Sequence, residues 1–311
     1  MEPILQIENL SISFTQYSRG TSRRELQVIR DLSLSLFSGE VLAVVGASGS
    51  GKSLLAHGIL GLLPYNSHCL GTILYQGSPL SEKRLQKLRG REIVLVPQGV
   101  TYLDPLMQVG PQLRRGDRRR QAKEKSRSSL ARYGLGQETE KLYPFQLSGG
   151  MARRVLMASA VMDSPRLVIA DEPTPGLDAK AAQRILSHFR ELAGEGTAVL
   201  FITHDLELAL SVAHRVAVFY AGETIEEAYA ADFAGNGLRH PFTQALWDAM
   251  PQRGFRPISG SQPYPGERET GCPFLDQCPH PGPGCGERPV SLRSWAGGRV
   301  RCLYPNQEEA L

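Results

Sequence analysis

The 311-residue sequence lacks any long hydrophobic run and any strong charge of one sign. No segment approaches the roughly 18 consecutive apolar residues of a membrane-spanning helix. The N-terminal segment MEPILQIE lacks the basic and apolar regions of a secretory signal. We therefore expect a cytoplasmic chain that reaches a membrane only through partner subunits. The net charge of +4 is too small to indicate nucleic acid or an acidic substrate by itself.

Closely spaced cysteine pairs are also missing. Four of the five cysteines lie near the C-terminus with the spacing C-x5-C-x6-C-x16-C, at Cys272, Cys278, Cys285 and Cys302. Disulfides are disfavoured in a reducing compartment, whereas thiolates can hold zinc or an iron–sulfur cluster. The surrounding segment is rich in proline and glycine and has little hydrophobic core, so we expect a bound metal or cluster to hold it together. Four unliganded thiols are the alternative.

The rest of the composition is that of an ordinary globular protein, with 41% hydrophobic and 21% charged residues. The length fits one large domain and a smaller one, and no internal repeat is present. Strand patterns alternate with helical ones, which predicts an α/β fold with a parallel sheet. Proline and glycine become dense after about residue 235, so we place one domain at 1–235 and a small module at 236–311.

The pattern of apolar residues predicts the main elements. Strands are predicted over 4–14, 28–37, 41–45, 93–96, 167–170, 198–202 and 216–219. Helices are predicted over 54–63, 82–89 and 151–161, with a polar helical region over 106–146 and a loop over 16–24.

The segment GASGSGKS lies between a predicted buried strand and a predicted helix. It fits G-x-x-x-x-G-K-[ST] in full, in the context that a phosphate-binding loop requires. Glycines permit positive φ and let backbone N–H groups close around phosphate oxygens. We expect Lys52 to reach the β- and γ-phosphates and Ser53 to place its hydroxyl on Mg²⁺. The loop consists of Gly46, Ala47, Ser48, Gly49, Ser50, Gly51, Lys52 and Ser53.

Polar side chains follow three other predicted strands, at Gln98, Asp171, Glu172 and His204. Asp171 suits the water shell of Mg²⁺, and Glu172 suits the base that activates the attacking water. Gln98 suits sensing of Mg²⁺ and this water, and His204 suits contact with the γ-phosphate. Ordinary alternatives are a solvated helix cap for the carboxylates, a surface amide for Gln98 and a structural role for His204.

The segment LSGGM, residues 147–151, lies between these motifs. Ser148 supplies a hydroxyl, and Gly149 and Gly150 supply uncovered backbone N–H groups at the start of a predicted helix. Donors at a helix N-terminus form an anion site. Taken alone, the segment also fits a plain glycine-rich helix start.

In their order along the chain, the phosphate loop, Gln98, LSGGM, LVIADE, GLD and His204 resemble the ATP-binding subunits of ABC transporters. The resemblance covers residues 1 to about 225. It implies the P-loop ABC ATPase fold, with a RecA-like parallel sheet core, an antiparallel β subdomain and a helical subdomain at about 100–160. It also implies a Walker A loop, a Q-loop, a signature, a Walker B strand, a D-loop and a switch histidine at 46–53, Gln98, 147–151, 167–172, Asp178 and His204.

The tail narrows the resemblance. LRHPFTQAL is similar to the HPYT-x-AL segment of the oligopeptide, dipeptide and nickel importer family, which often carries a closing cysteine-rich module. The resemblance to that family favours a [4Fe–4S] cluster on the four tail cysteines, with zinc as the alternative. Within this family, the stretches SGKSL, LGLLP and YPFQLSGGM look more similar to nickel-importer subunits than to peptide ones.

The resemblance implies an ATPase subunit of a peptide or nickel/metal-chelate importer, with ATP and Mg²⁺ as cofactors. Mg²⁺ would be held through Ser53, Gln98 and Asp171, with Gln98, Glu172 and His204 catalytic. Ser148, Gly149 and Gly150 would contact the ATP of a second ATPase subunit, more often a different chain than a copy. Two membrane permeases and, indirectly, an extracytoplasmic solute-binding protein would complete the assembly; no nucleic acid is expected.

Three positions depart from the family pattern. Arg153 stands where the family usually has glutamine, and the D-loop reads TPGLD rather than the commoner SALD form. The aromatic that stacks on adenine is not clearly placed. Tyr17 is the candidate, followed by Phe14, although Arg23 or Arg24 lies nearer the expected point.

A second class of function is a non-transport ABC ATPase that acts on nucleic acid through the basic run 114–127. A solvated helical face is the simpler explanation of that run. A stand-alone kinase or GTPase would explain neither LSGGM nor His204, and a translation-type ABC protein would need a second phosphate loop.

Overall fold

The structure is a computed structural model that describes residues 2–17, 23–47, 49–235, 237–258, 260–264, 267, 270–287 and 289–306. Among these residues, no helix combines the length and the apolar character needed to cross a membrane.

The elements follow one another in an alternating α/β order. The strands are β1 (Leu5–Tyr17), β2 (Arg23–Leu36), β3 (Val41–Gly46), β4 (Ser67–Tyr75), β5 (Ser78–Pro79), β6 (Ile93–Val96), β7 (Leu167–Asp171), β8 (Ala198–Thr203), β9 (Arg215–Tyr220), β10 (Glu223–Tyr229), β11 (Arg293–Trp295) and β12 (Gly298–Val300). The α-helices are α1 (Lys52–Ile59), α2 (Glu82–Leu88), α3 (Val109–Leu113), α4 (Arg120–Arg132), α5 (Gly149–Val161), α6 (Ala179–Gly194), α7 (Leu206–Val212), α8 (Ala230–Ala234) and α9 (Pro241–Asp248). Short 3₁₀ turns occur at Val100–Tyr102, Gln137–Lys141, Pro144–Gln146, Pro251–Arg253 and Leu275–Gln277.

The chain forms two compact units. The first unit consists of Met1–Phe37, Leu42–Leu80 and Thr203–Leu311, and the second consists of Ser38–Val41 and Ser81–Ile202.

The first unit contains an antiparallel sheet of order β2-β1-β4-β5. It also contains the strands β11-β12-β10-β9-β3, in which β3 and β9 are parallel and the other neighbours are antiparallel. Every residue of β3 is buried, as expected for a strand of a parallel sheet that is covered on both faces.

The second unit contains the parallel strands β8, β7 and β6, in that order, together with α2 to α6. All residues of β7 and all residues of β8 are buried. The carboxyl ends of β6 and β7 lie at one edge of the sheet, so Gln98 and Glu172, which follow these strands, lie at the same edge.

The polar region predicted to be helical over 106–146 is only partly so. It contains the short helix α3, the longer helix α4 and two 3₁₀ turns. The loop predicted over 16–24 is also shorter, because β1 continues to Tyr17 and β2 begins at Arg23. The two ends pair in register from Ser13 and Gln27 to Tyr17 and Arg23.

Strand β10 was not predicted from the sequence. Its glutamates Glu223, Glu226 and Glu227 suggest solvent, yet all three are buried. Arginines make this burial possible, since a buried charge requires a partner. Arg301 lies 3.6 Å from Glu223, Arg239 lies 3.4 Å from Glu226, and Arg215 and Arg299 each lie 3.2 Å from Glu227.

The tail buries more apolar surface than its composition predicts. Phe274 is 1% exposed, and its ring packs edge-on against Tyr220 of β9 and Phe242 of α9 at centroid distances of 5.7 and 5.3 Å. The hairpin β11–β12 adds to the edge of β10, where Glu226 faces Val300. The tail is therefore packed against the sheet of the first unit and does not form an independent core.

A candidate ATP-binding and hydrolysis site

The phosphate loop starts where β3 ends and α1 begins. Gly46 lies against β9, and a β-carbon there would collide with the carbonyl oxygen of Phe219. Gly51 caps α1 with a φ of 94°, a left-handed conformation that favours glycine. These two positions explain physically why the loop needs glycine. Ser48, a predicted member of the loop, lies outside the described residues.

Lys52 is buried within this loop, with 7% of its surface exposed. Its Nζ donates hydrogen bonds of 2.8 Å to the carbonyl oxygens of Gly46 and Ala47 and lies 3.5 Å from the hydroxyl of Ser50. The ammonium group is thus held inside the curve of the loop, where a phosphate would bind. Ser53 follows at the start of α1 and is half-buried.

Tyr17 and His204 also belong to the first unit. Tyr17 ends β1 with 67% of its surface exposed, and the guanidinium carbon of Arg23 lies 5.6 Å from the centre of its ring. His204 follows β8 and is exposed. The next residue, Asp205, fixes the chain by accepting a 3.0 Å hydrogen bond from the N–H of Leu208 at the start of α7.

Asp171 and Glu172 lie at the end of β7 in the second unit, and both are buried. Glu172 has a φ of 46°, a strained conformation for a residue with a side chain, and such strain tends to be kept at functional sites. Its N–H donates a 3.0 Å hydrogen bond to the carbonyl oxygen of Ile202. Gln98 follows β6 in the same unit and is exposed.

Arg153, the departure from the family pattern, contacts the predicted base directly. Its Nη1 donates a 2.6 Å hydrogen bond to the backbone carbonyl oxygen of Glu172. Burial lowers the pKa of this guanidinium, and the nearby carboxylate of Glu172 opposes that shift. Arg153 lies on α5, so one side chain joins the signature helix to the residue after β7. The sequence marked Arg153 as unusual but did not reveal this contact.

The signature residues lie at the start of α5. Ser148 caps the helix by accepting a 3.2 Å hydrogen bond from the N–H of Met151. Ser148 and Gly149 are exposed, and a β-carbon on Gly149 would meet no described atom within 4 Å. Gly150 lies near Gly176, where a β-carbon would be at 3.6 Å from the carbonyl oxygen. Asp178 caps α6 by accepting a 2.8 Å hydrogen bond from the N–H of Ala181.

Six of the eight basic residues in the run 114–127 pair with acidic neighbours within the second unit. Arg114 and Arg127 both pair with the buried carboxylate of Glu140. Further pairs are Arg115 and Lys125 with Asp163, Arg119 with Asp117, and Arg120 with Glu124. A surface that binds nucleic acid would present free cations to phosphates, so this arrangement favours a solvated ionic face.

The four tail cysteines are free thiols that affect one another. Burial raises the pKa of Cys272 to about 12; the backbone of Phe274 opposes this shift, and the other three tail cysteines add to it. Burial likewise raises the pKa of Cys302 to about 11. The N–H of Cys272 donates a 2.7 Å hydrogen bond to the carbonyl oxygen of Cys285. Even so, the described residues contain no group of three or more His, Cys, Asp or Glu side chains arranged to hold a metal ion.

The HPF segment of the tail lies beside these cysteines. Glu226 accepts 2.8 Å hydrogen bonds from the backbone N–H groups of Arg239 and His240. His240 in turn accepts a 3.0 Å hydrogen bond from the N–H of Phe242 through Nδ1, and its Nε2 lies 4.0 Å from the sulfur of Cys272. The sequence identified this segment only by its resemblance to the importer family. Its buried partner, Glu226, lies on β10, which was not predicted from the sequence.

Comparisons with known proteins agree with the motifs. The family described as "ABC transporter" matches residues 29–175, and "Oligopeptide/dipeptide transporter, C-terminal region" matches residues 225–285. The dipeptide transport ATP-binding protein DppD of Bacillus subtilis is 36% identical over 90% of this chain and 88% of that protein. The oligopeptide transport ATP-binding protein OppD of Salmonella typhimurium is 34% identical over 99% of this chain and 95% of that protein.

A solved structure supports the same assignment. A dimeric ATP-binding cassette, in a post-hydrolysis state bound to ADP and Pi, has a TM-score of 0.63 and 26% identity, over 73% of this chain and 98% of that one. The predicted P-loop ABC ATPase fold is therefore confirmed. The similarity extends over nearly the whole length of relatives that are more than 30% identical to this chain. The chain is therefore a transport ATPase that uses ATP and Mg²⁺, and it belongs to the family of ABC transporter ATP-binding proteins with an oligopeptide/dipeptide transporter C-terminal region.

Proposed function

We propose that this protein is the ATP-hydrolysing subunit of a multi-subunit importer for peptides, located at the cytoplasmic face of the cell membrane. The observation that carries the proposal is similarity along both parts of the chain, the cassette and the tail, to proteins named for dipeptide and oligopeptide transport. Two permease subunits would anchor the protein, and an extracytoplasmic binding protein would deliver the solute. The cassette would span 1–235, with a helical subdomain at about 100–160, and the tail module 236–311.

The working form would be a dimer with a second ATPase subunit, more often a different chain than a copy. Ser148 and Gly149 support this because they are exposed and Gly149 has open space around it. Ser148, Gly149 and Gly150 would contact the ATP on the partner subunit. ATP would then favour closure, since a ligand shifts a population only through contacts that differ between the two states. Hydrolysis would remove those contacts and reopen the dimer.

In this proposal the phosphate loop binds the nucleotide. Lys52 would exchange its bonds to the loop carbonyls for the β- and γ-phosphates, and the backbone N–H groups of 46–53 would surround them. The hydroxyl of Ser53, the amide of Gln98 and the carboxylate of Asp171 are the oxygen donors that Mg²⁺ prefers. When bound, Mg²⁺ would neutralise charge on the phosphates. Tyr17 is the aromatic residue that the sequence favours for adenine.

Hydrolysis would depend on the residues that follow β7 and β8. Glu172 would orient and deprotonate the attacking water, a role worth roughly 10²–10⁴-fold in rate. Gln98 would align this water, and His204 would contact the γ-phosphate. Asp178, which caps α6, would place the D-loop at the partner subunit. Arg153 would hold the backbone of Glu172 through its 2.6 Å hydrogen bond.

A test of the transport assignment is reconstitution of the chain with the permeases encoded beside it, together with their binding protein. We expect co-purification in a membrane complex and ATP turnover that labelled dipeptides or oligopeptides stimulate. Stimulation by nickel or a nickel chelate but not by peptides would show that the importer transports the metal. The stretches SGKSL, LGLLP and YPFQLSGGM favour that alternative. Salt-sensitive DNA binding without co-purification would contradict the proposal.

For the tail, we propose that Cys272, Cys278, Cys285 and Cys302 hold a [4Fe–4S] cluster, with Zn²⁺ as the alternative. All four are free thiols, and the backbones of Cys272 and Cys285 are joined by a 2.7 Å hydrogen bond, which supports the proposal. Their sulfurs would have to converge further when a metal binds. The expected result is about four irons and four sulfides per anaerobically purified chain. Cys272→Ser should abolish this content and Cys69→Ser should preserve it. Colourless protein with one zinc per chain would contradict the iron–sulfur assignment.

A further inference from the structure

The tail returns to the phosphate loop. A cavity of about 20 Å³ is lined by Gly49 of the loop and Val28 of β2 on one side. The other side is formed by tail residues, among them Gln262, Tyr264 and Pro273. All of these residues belong to the first unit. The tail segment and the loop that would hold the phosphates thus line the same cavity.

The size of the cavity shows how closely the tail is packed there. About 20 Å³ is room for roughly one water molecule. The side-chain oxygen Oε1 of Gln262 is buried in this region and has no hydrogen-bond partner among the described residues. The cavity is therefore a narrow seam between the tail and the β2–loop region, and a nucleotide would bind beside it and not within it.

Tyr264 stands at the rim of this seam with its ring available. It is 75% exposed, although its backbone is held. Its N–H donates a 2.7 Å hydrogen bond to the carboxylate of Glu267, and the N–H of Glu267 donates a 3.0 Å hydrogen bond to its carbonyl oxygen. A fixed backbone with an exposed aromatic ring is suited to stacking, because little freedom of the side chain is lost on binding.

The other aromatic candidate is placed less favourably. Tyr17 pairs with Arg23 at the far end of the β1–β2 ladder, and the guanidinium of Arg23 lies over its ring. Val28, the residue of β2 that lines the seam, is five positions further along the strand, which corresponds to about 17 Å. Tyr264, in contrast, lines the same cavity as both Val28 and Gly49.

We propose that Tyr264, contributed by the C-terminal tail, packs against the adenosine part of the ATP bound to this chain's phosphate loop. The inference rests on the proposed function, in that the loop 46–53 binds the triphosphate. It makes the tail a part of the nucleotide site and gives it a role in the choice of nucleotide. The loop would bind the phosphates, and the tail would bind the base.

The experiment measures equilibrium dissociation constants of the full-length chain for two probes, ATP and inorganic triphosphate, by displacement of a fluorescent ATP analogue. Tyr264→Ala should raise the Kd for ATP at least fivefold, which corresponds to about 1 kcal/mol, the lower end of base–aromatic stacking. Its Kd for triphosphate should stay within twofold of the wild type. Tyr264→Phe keeps the ring and should bind ATP within twofold of the wild type.

Three controls separate the outcomes. Unchanged thermal unfolding of Tyr264→Ala shows that the exposed position does not alter the fold. An unchanged Kd for ATP in Tyr264→Ala, with a weaker one in Tyr17→Ala, would overturn the proposal and restore Tyr17. Equal weakening of ATP and triphosphate in Tyr264→Ala would also overturn it, since the tail would then act on the phosphates. If Lys52→Ala bound both probes as tightly as the wild type, the proposed function itself would fail.

Discussion

Glycines are needed at two motifs of this protein for opposite reasons. At Gly46 the backbone of β9 leaves no room for a side chain, so the requirement comes from the chain's own packing. At Gly149 the surroundings are open and the helical conformation suits alanine. The fold of the chain therefore does not require glycine at position 149. We explain its presence by a ligand or partner that approaches this position closely. In our proposal this is the ATP on the second subunit.

Gly149→Ala tests this difference at the level of one methyl group. The variant should unfold at the same temperature as the wild type or slightly above it, because alanine favours a helix by up to about 1 kcal/mol over glycine. ATP affinity of the isolated chain should not change. Turnover of the assembled ATPase pair should fall at least tenfold, because the methyl group would occupy space meant for the partner's nucleotide.

Gly46→Ala is the matched contrast. It should lower the unfolding temperature and the ATP affinity of the isolated chain, because the added methyl group collides with the backbone of Phe219. Full turnover by the pair that contains Gly149→Ala would contradict the role given to the signature.

Single residues of the site could be predicted to very different degrees. The phosphate loop and the residues after β7 follow from a local pattern of glycine, charge and buried strand, so the sequence places them well. The contact of Arg153 with Glu172 depends on how α5 packs, and no local pattern encodes it. The same holds for Tyr264, since the segment that carries it lies more than two hundred residues from Gly49 in the sequence.

At the level of elements, β10 shows how charge can conceal a buried strand. Three glutamates in seven residues predict solvent, yet the pairing arginines come from β9, from β12 and the residue after it, and from the segment before α9. The apolar strands β3, β7 and β8 were predicted closely because burial on both faces gives continuous apolar runs. Only the tertiary structure supplies the partners that make β10 possible.

Glu226 should be the most sensitive position of this strand. It is 0% exposed, and Arg239, which it pairs with, is also buried. Glu226→Ala would leave the arginine with Asp232 as its remaining acidic partner, so we expect a loss of about 3 kcal/mol in the free energy of unfolding. Glu226→Gln keeps acceptors for the two backbone N–H groups and should lose less.

Urea unfolding measures both variants. The control is Glu124→Ala, which removes an exposed ion pair with Arg120 on α4 and should change stability by less than about 0.5 kcal/mol. Equal effects at positions 226 and 124 would show that the buried network does not stabilise β10.

Helices α4 and α6 are joined by a histidine that should stay neutral. Burial, followed by the charge of Arg132, lowers the pKa of His188 to about 4, and His188 also contacts the hydroxyl of Tyr133. The unfolded chain binds this proton near pH 6.5, so the folded state binds fewer protons between pH 6.5 and 4. The stability from neutral His188 is therefore complete above pH 6.5 and is lost as the pH falls towards 4.

The melting temperature, followed by circular dichroism from pH 7 to 4.5, tests this sign. The wild type should lose thermal stability more steeply than His188→Gln, which cannot take up the proton. Parallel curves for the two proteins would show that His188 does not contribute to the acid sensitivity.

The residues predicted for the site belong to two units of the chain, and in our proposal a second subunit adds to them. The phosphate loop, His204 and the tail belong to the first unit, whereas Gln98, the signature and Glu172 belong to the second. Family membership and fold could be predicted from the order of the motifs. The partner, the solute and the metal content of the tail could not, because they depend on contacts with other molecules.

In our proposal, this chain hydrolyses ATP at its own site, with Glu172 as the base, to drive import. The most direct measurement is ATP binding and turnover by the assembled importer with wild-type chain and with Glu172→Gln. We predict ATP affinity within twofold of the wild type and turnover at least 10²-fold lower, since a positioned general base is worth roughly 10²–10⁴-fold. A loss of turnover below threefold would contradict the account.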